Sequence, residues 1–395
     1  MNRQPVIVVG GGPVGSVLTL LLSRRGIPVY LIDAGASFSK VCGEGLLPAG
    51  WGILEDLGVA RELVERSPIQ GLKYRLQSGG DWQEMFAALQ GRAFGVERAH
   101  LLGGLRKAVA RESHVTVFEN TRFRDFSFTP DGVEVTLGEG GREVLSGSLL
   151  VGADGLHSTV RRKCHLQSEL KTTYRRWGTR CYFRSQERRN AVEVTLGRGV
   201  ESYLTPLGGD LYGLAFLWSP HLLGRPLPGE GSLVERLLGF FPEGLQERLP
   251  VAGTPFFGGE KAIGPLQQLV TQPLHSSERV ALVGDAAGYF DALTGEGLCL
   301  GFRQAAALAD CIERGNLKSY PRRHREIKRR HQRVVSGLLW LIHQPALRER
   351  VFRALATSPD QFQRVIGFAV EEAPWWSLWS AQTVSFFLKV LTAYR

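Results

Sequence analysis

The stretch PVIVVGGGPVGSVLTLLLSRRGIPVYLID, residues 5–33, leaves few folds open to this chain. Val6–Val9 is a β-branched apolar run short enough for a buried strand. Gly10, Gly12 and Gly15 follow in G-x-G-x-x-G spacing, with Pro13 and Val14 between the last two. Leucines at helical spacing occupy Ser16 to Arg25 and stop at Gly26, a natural C-terminal cap. A second apolar strand, Pro28 to Ile32, ends in Asp33, about 18 residues past Gly15. Strand, glycine turn, helix, strand and acid in that order predict a βαβ unit that binds a dinucleotide. Gly10 permits the tight turn, Gly12 lets the backbone approach a pyrophosphate, and Gly15 lets helix and strand pack closely. The helix start, at Pro13 and Val14, offers unpaired N–H groups and a positive dipole end to the phosphates. Asp33 is placed to accept hydrogen bonds from ribose hydroxyls. The unit alone leaves NAD and FAD both open.

Two later segments decide between them. VGADGLHSTVRRK spans Val151–Lys163, and ERVALVGDAAGYFDALTGEGLCLGFRQAAALAD spans Glu278–Asp310. With Arg98, which opens a helical stretch in ERAHLLGGLRKAV, they make the chain resemble the FAD-dependent hydroxylases related to para-hydroxybenzoate hydroxylase. Geranylgeranyl reductases and halogenases are relatives within that family. The resemblance runs from residue 6 to about 310. It implies that Gly152, Asp154, Gly155, Ser158 and Arg161 form one fingerprint, and that Gly284 and Asp285 form another. The Asp285 carboxylate would then bind the FAD ribityl chain, with Arg98 close to FAD. Gly295, Glu296, Gly297 and Leu298 open a helix through Ala309, whose first N–H groups lack intrahelical partners. By resemblance, they face the pyrimidine edge of the flavin.

The fold expected is α/β: a Rossmann-type FAD-binding domain with an inserted antiparallel sheet substrate domain and a helical C-terminal tail. Its boundaries are 1–170 and 270–345 for FAD binding, 171–269 for the sheet and 346–395 for the tail. The sheet rests on TRCYFR, AVEVTLG, ESYLTPL and DLYGLAFLW, alternating segments broken by Gly, Pro and Asp. Tyr203 and Tyr212 in these strands are candidates to meet substrate.

Departures from the hydroxylase pattern bear on function. Gly288 stands where aromatic hydroxylases carry His, and Glu296 where they carry Gln. KVCGEGLLPAGWGILEDLG, Lys40–Gly58, looks like the geranylgeranyl reductase branch and like some monooxygenases of secondary metabolism. Cys42 either faces the cofactor or is a buried inert thiol. Glu44 either lies near substrate or sits on a solvated loop. The halogenase Trp-x-Trp-x-Ile-Pro motif and its lysine are missing, which disfavours chlorination. The resemblance implies an FAD-dependent monooxygenase, with NADH or NADPH as transient donor and O2 as oxidant. Its substrate would be a hydrophobic aromatic or prenylated small molecule. The alternative is an FAD-dependent reductase of isoprenoid double bonds. Water exclusion and positioning dominate the monooxygenase reaction, and no catalytic side chain stands out.

Composition sets the remaining bounds. The five cysteines form no CxxC pair, so neither a metal site nor a disulfide framework is expected, and a cytoplasmic setting fits. A formal charge of +10 is concentrated partly in RRHREIKRRHQR, Arg322–Arg333. That segment reads as an exposed basic helix, either solvated or drawn to an anionic surface such as the inner face of a membrane. No nucleic-acid-binding module accompanies the charge. WWSLWSAQTVSFFLKVL, Trp375–Leu391, reads as a helix packed on the core, a surface anchor, or a lid over a hydrophobic substrate.

Overall fold

The computed structural model describes residues 4–35, 44–78, 81–138, 140–141, 143–169, 175–197, 199–223, 231–241, 255–258, 262–266, 268–380, 383, 385–386 and 389–390. Strand β1 (Val6–Val9) turns into helix α1 (Pro13–Ser23), and β2 (Val29–Ile32) follows. Next come α2 (Pro48–Asp56), β3 (Gly71–Ser78), β4 (Asp81–Ala88), α3 (Arg98–Ala110), β5 (Val115–Phe118) and β6 (Leu149–Gly152). The short helix α4 (Thr159–Lys163) leads to β7 (Arg176–Arg184), β8 (Ala191–Leu196), β9 (Val200–Gly208) and β10 (Leu211–Trp218). Then come α5 (Pro220–Leu223), α6 (Leu233–Leu238), β11 (Val280–Leu282) and α7 (Gly297–Glu313). Helices α8 (Tyr320–Ile342), α9 (Pro345–Ala356) and α10 (Pro359–Ala369) complete the order.

Five strands pair in parallel in the order β11-β6-β1-β2-β5. Both faces of this sheet are covered, which is why its strands read as continuous apolar runs. Val6 and Val8 face a core with Leu18, Leu22, Leu105, Phe302 and Leu308 of helices α1, α3 and α7. Ile7 and Val9 face the opposite core with Leu150, Val160, Leu282 and Val135. The alternation follows from the two-residue period of a strand.

An eight-stranded sheet stands beside it, with the path β7-β10-β9-β8-β3-β4, the short Phe257–Gly258 strand at the β7 edge, and the Ile263–Leu266 strand also paired with β7. Its pairings are antiparallel except where β8 runs parallel to β3. Residues 71–88 therefore belong to this sheet, although they fall inside the 1–170 stretch expected for FAD binding. They join it because the inner-facing Leu72 and Leu76 pack with Val194 and Leu196 under Phe352, Leu355, Phe362 and Ile366 of α9 and α10. The outer face buries Phe183, Tyr212, Leu214, Phe216 and Trp218 against Leu233 and Leu237 of α6.

Helix α8 differs from the exposed basic helix expected of Arg322–Arg333. One face carries Arg322, Arg325, Arg329 and Arg333, all exposed. The other buries Tyr320, His324, Lys328, His331, Val335 and Leu339 at three- and four-residue spacing. The tail agrees only in part with the helix expected over Trp375–Leu391: Trp375–Leu378 is a single 3-10 turn and Trp379 is extended, whereas described residues 383, 385, 386, 389 and 390 are helical. Arg364 and Gln361 donate to the carbonyls of Ser377 and Leu378, tying the turn to α10. Thr383 also donates to the Leu378 carbonyl. Trp375, Trp376 and Trp379 are 60%, 63% and 65% exposed, so these rings lie outside the core.

Burial, and next the charge of Lys328, push the His324 imidazole down to about 3, so it stays neutral in the fold. The unfolded chain takes up a proton near pH 6.5 and the folded one does not until about 3. Stability from this residue is therefore lost as pH falls from 6.5 toward 3, by roughly 3–5 kcal/mol in all. The variant His324→Leu should flatten that acid limb in urea titrations followed by tryptophan fluorescence at pH 7 to 4. An unchanged pH slope would contradict the assignment.

Candidate functional site

Parallel pairing brings the carboxyl ends of β1, β2, β6 and β11 to one edge, where ligands of open α/β sheets bind. Each strand delivers one of the expected motifs there. Gly10 follows β1 with φ +111°, and a side chain on it would strike the Ala153 carbonyl at 2.5 Å. Gly15 lies against the Gly10 carbonyl, 1.9 Å from where a Cβ would stand, so the turn closes only around glycine. Gly12 caps α1 with open space beside it, while Pro13 and Val14 form the first turn. Val14 packs against Gly284 and Gly301.

Asp33 follows β2. Its Oδ2 accepts from Arg106 of α3 at 3.0 Å and its Oδ1 from the Gly35 N–H. Gly11, Asp33, Arg106, Val117 and Glu119 line a cleft at this end of the sheet. Asp154 follows β6: its Oδ2 accepts from the N–H groups of Thr159 and Val160, while Oδ1 is buried without a partner. Arg161 ties this motif to the next, donating to the Leu156, Asp285 and Ala286 carbonyls. Burial first, partly offset by the Asp154 charge, lowers its pKa.

Asp285 lies in the 3-10 turn Gly284–Ala287 that follows β11. Gly288 closes this turn at φ +110°, and a Cβ there would sit 3.0 Å from Lys328 Nζ. The space a His would need is filled by a lysine from α8. Lys328 Nζ donates to the Ala287 carbonyl at 3.4 Å, and burial holds its pKa down to about 8. Gly295 has φ +67°, and Gly297 and Leu298 begin α7. Glu296, also buried, accepts from His331 Nδ1 at 3.0 Å.

A second group of polar side chains gathers beneath the eight-stranded sheet. Glu44 adopts φ +58°, unusual for a residue with a side chain, and its carboxylate is buried. Oε1 accepts from the Arg98 N–H at 2.8 Å, Arg180 Nη1 at 2.8 Å and the Tyr182 hydroxyl at 2.9 Å. Oε2 has no partner and lies against Gly213 of β10. Burial raises the Glu44 pKa, and Arg180, the Arg98 N–H and Tyr182 pull it only partly back. Arg98 is itself buried, with Nε and Nη1 unpaired. Farther along the same face Arg176 pairs with Glu201 at 2.5 Å and Asp291 at 3.0 Å. The Tyr203 hydroxyl meets Glu201 at 2.8 Å and the Leu293 carbonyl at 3.1 Å.

The structure thus brings Gly10, Gly12, Pro13, Val14, Gly15, Asp33, Asp154 and Asp285 to one sheet edge. Arg98, Glu44 and Tyr203 sit under the roof formed by the second sheet. Tyr212 points to the opposite face, where its hydroxyl donates to the Glu187 carbonyl and its ring joins the outer core. Cys42 lies outside the described residues. Sequence reasoning missed Arg176, Arg180 and Tyr182. Their signal was two-residue spacing, which puts all three on one face of a strand otherwise filled by apolar groups.

These residues fit FAD. The glycine turn and the α1 N-terminus offer N–H groups to a diphosphate. The unpaired Arg98 nitrogens and Asp154 Oδ1 each represent roughly 1–3 kcal/mol of lost hydrogen bonding that a bound ligand would restore. Comparison with known proteins agrees: residues 3–186 match a family model described as an FAD binding domain. The chain is 27% identical to menaquinone reductase of Mycolicibacterium smegmatis, covering 81% of this chain and 78% of that one. It is 28% identical to aurachin C monooxygenase/isomerase of Stigmatella aurantiaca, covering 78% of this chain and 80% of the relative. The structure of the flavin-dependent brominase Bmp2 superposes with a TM-score of 0.80 over 99% of both chains at 15% identity, a likeness of fold.

Gly15→Ala forces a Cβ into the Gly10 carbonyl, so the turn must open. Bound flavin per protein, read from visible absorbance after purification, should fall about tenfold or more, for a loss of some 1.4 kcal/mol. Full flavin content would show that the turn does not hold the cofactor.

Proposed function

We propose that this chain is an FAD-dependent oxidoreductase of the flavoprotein monooxygenase family, and that it hydroxylates or epoxidises a hydrophobic aromatic or prenylated small molecule. The electron donor is NADH or NADPH, the oxidant is O2, and the setting is secondary metabolism. Bound flavin supplies the redox chemistry, passing electrons from the donor to O2. The protein's own residues bind, orient and exclude water.

One observation carries the reading. Glu44, Arg98, Arg180 and Tyr182 form a polar group, enclosed between the dinucleotide edge and a sheet that is otherwise largely apolar. Such a site orients a mostly apolar molecule through a few polar contacts. Glu44 accepts a proton or hydrogen bond from the substrate's hydroxyl or ring N–H, which makes the adjacent ring carbon electron-rich. Arg180 and Tyr182 hold the carboxylate in place while the sheet keeps water out. The polyprenyl double-bond reductase is the second reading, favoured by the similarity to a menaquinone reductase.

The setting we propose is the cytoplasm, with peripheral contact at the inner face of a membrane as the further step. Among the described residues no helix is long and apolar enough to cross one. The exposed arginine stripe of α8 ends near Trp340, which is 56% exposed. Arginines near an anionic surface contribute about 1 kcal/mol each, and tryptophan suits the headgroup level.

Oxygen uptake by the flavin-loaded protein with NADH or NADPH tests the reading, with phenolic, quinolone and polyprenyl compounds as candidates. Ligand-stimulated uptake, with one oxygen atom added to the product, is expected. Anaerobic flavin reoxidation by a polyprenyl compound, with loss of a double bond, would establish the reductase. Glu44→Gln should retain FAD and lose about a hundredfold or more in kcat/KM. Because burial raises the Glu44 pKa, kcat/KM should fall on acidification from a point above the ordinary carboxylate range. That limb should vanish in the variant.

A further inference from the structure

Glu296 stands at the start of α7 yet caps none of that helix's own N–H groups. A carboxylate at a helix start ordinarily serves the free N–H groups of the first turn. This one is buried and turns instead to His331 on α8, whose Nδ1 lies 3.0 Å from Oε2. The Thr294 hydroxyl lies 3.3 Å from the same nitrogen, and His331 is itself 5% exposed. A carboxylate and an imidazole are thus held together out of water, at a helix end whose own N–H groups they do not use.

That helix end faces the dinucleotide edge. Val14, in the first turn of α1, packs against Gly284 after β11 and against Gly301, one turn inside α7. Gln304 of α7 accepts from the Gly284 N–H at 2.9 Å. Helices α1 and α7 therefore lie side by side and bring their N-termini to the carboxyl end of β11. The Glu296 carboxylate stands one side chain's length, roughly 5 Å, from the backbone of that start.

Two electrons and one proton passed to bound FAD by a nicotinamide donor leave one net negative charge on its ring system. A unit charge about 10 Å away, at the effective dielectric of a protein interior, shifts such an equilibrium about tenfold. With Glu296 ionised, the pair is neutral when His331 is protonated and carries one negative charge when it is not. We infer that Glu296 and His331 are a positioning pair that balances charge on the cofactor: Glu296 holds His331 so that it takes one proton from water as FAD is reduced. The inference rests on bound FAD alone, and holds whether the electrons go on to O2 or to a double bond.

Other charged or titratable groups surround the pair. They are Asp291 on the preceding loop with Arg176 and Glu201 beyond it, Lys328 one turn earlier on α8, Tyr74 on β3, and Cys299 and Arg303 on α7. Burial pushes the Cys299 thiol up to about 12 and the Tyr74 hydroxyl above its usual range, and Arg303 is bound to Glu371. Asp291, raised by burial, and Lys328, held down to about 8, are present in every protein compared below, so differences between those proteins belong to the pair.

The midpoint potential of the flavin-loaded full chain, equilibrated against redox dyes from pH 5 to 9, tests the inference. Over that range the parent's reduction equilibrium should fall about tenfold more than that of the double variant Glu296→Gln/His331→Gln, some 30 mV for two electrons. Glutamine is what the hydroxylase pattern carries at 296, so Glu296→Gln alone should keep the fold and the FAD. At pH 9, where an ordinary imidazole is neutral, that single variant should favour the reduced cofactor about tenfold over the parent, because one negative charge is gone. A merely structural pair would change FAD content and leave these potentials alone. The same pH dependence in the parent and the double variant, or a Glu296→Gln equilibrium within twofold of the parent's at pH 9, would overturn the inference.

Discussion

Parallel pairing is the constraint on which the rest of this molecule depends. It aligns β1, β2, β6 and β11 so that four motifs separated by more than 270 residues of chain end at one edge. A strand slipped by one residue would turn its inward side chains to the other face. It would also move Asp33, Asp154 or Asp285 out of reach of a shared ligand. The Arg161 guanidinium fixes the alignment further, because one buried cation is shared by three carbonyls of two motifs. Removing it would take this donor from the Leu156 and Ala286 carbonyls, where a lost buried partner costs about 1–3 kcal/mol, while the Asp285 carbonyl would keep the Gly288 N–H.

The second sheet supplies the ingredient the first lacks. A dinucleotide edge is open to solvent, and the oxygen chemistry proposed for the flavin would need water kept away. The sheet covers that edge with a face that is apolar near α9 and α10 but charged opposite Glu44 and Asp291. Buried charges of this kind are costly unless paired, and two of the pairs, Arg180–Glu44 and Arg176–Asp291, cross the junction between the two sheets. Glu44 links α3 to β7, and Asp291 links the β11–α7 loop to β7. The same contacts that shape the pocket thus hold the roof in place.

How much of this was legible beforehand depended on whether the signal was local. The glycine turn, Asp33 and the helix start at Gly297 were read at residue level because each motif is a turn whose backbone demands particular residues. Residues 71–88 were left out of the sheet expected at 171–269, since a parallel partner 120 positions away leaves no mark on local alternation. Arg176, Arg180 and Tyr182 were invisible as site residues because a strand with alternating charge also describes a solvated edge. Helix α8 was read from its charge, which hid a buried stripe that includes His324 and Lys328. Only the 375–379 part of the tail departs from the helix expected, because composition says nothing of the side chains that claim its carbonyls.

The parallel pair of β3 with β8 has a consequence for how the chain folds. Strand β3 finds its partner only when residues 191–196 arrive, after β5, β6 and β7 have been laid down. Until then β3 and β4 form a bare hairpin, which is marginally stable by itself in water. Closing a loop of that length before any contact rewards it makes this step slow relative to the local βαβ unit. During synthesis the nascent protein therefore exposes an apolar sheet edge for as long as the ribosome takes to add that intervening segment. That interval, rather than the finished cofactor site, is where chaperone binding or aggregation would act on this protein.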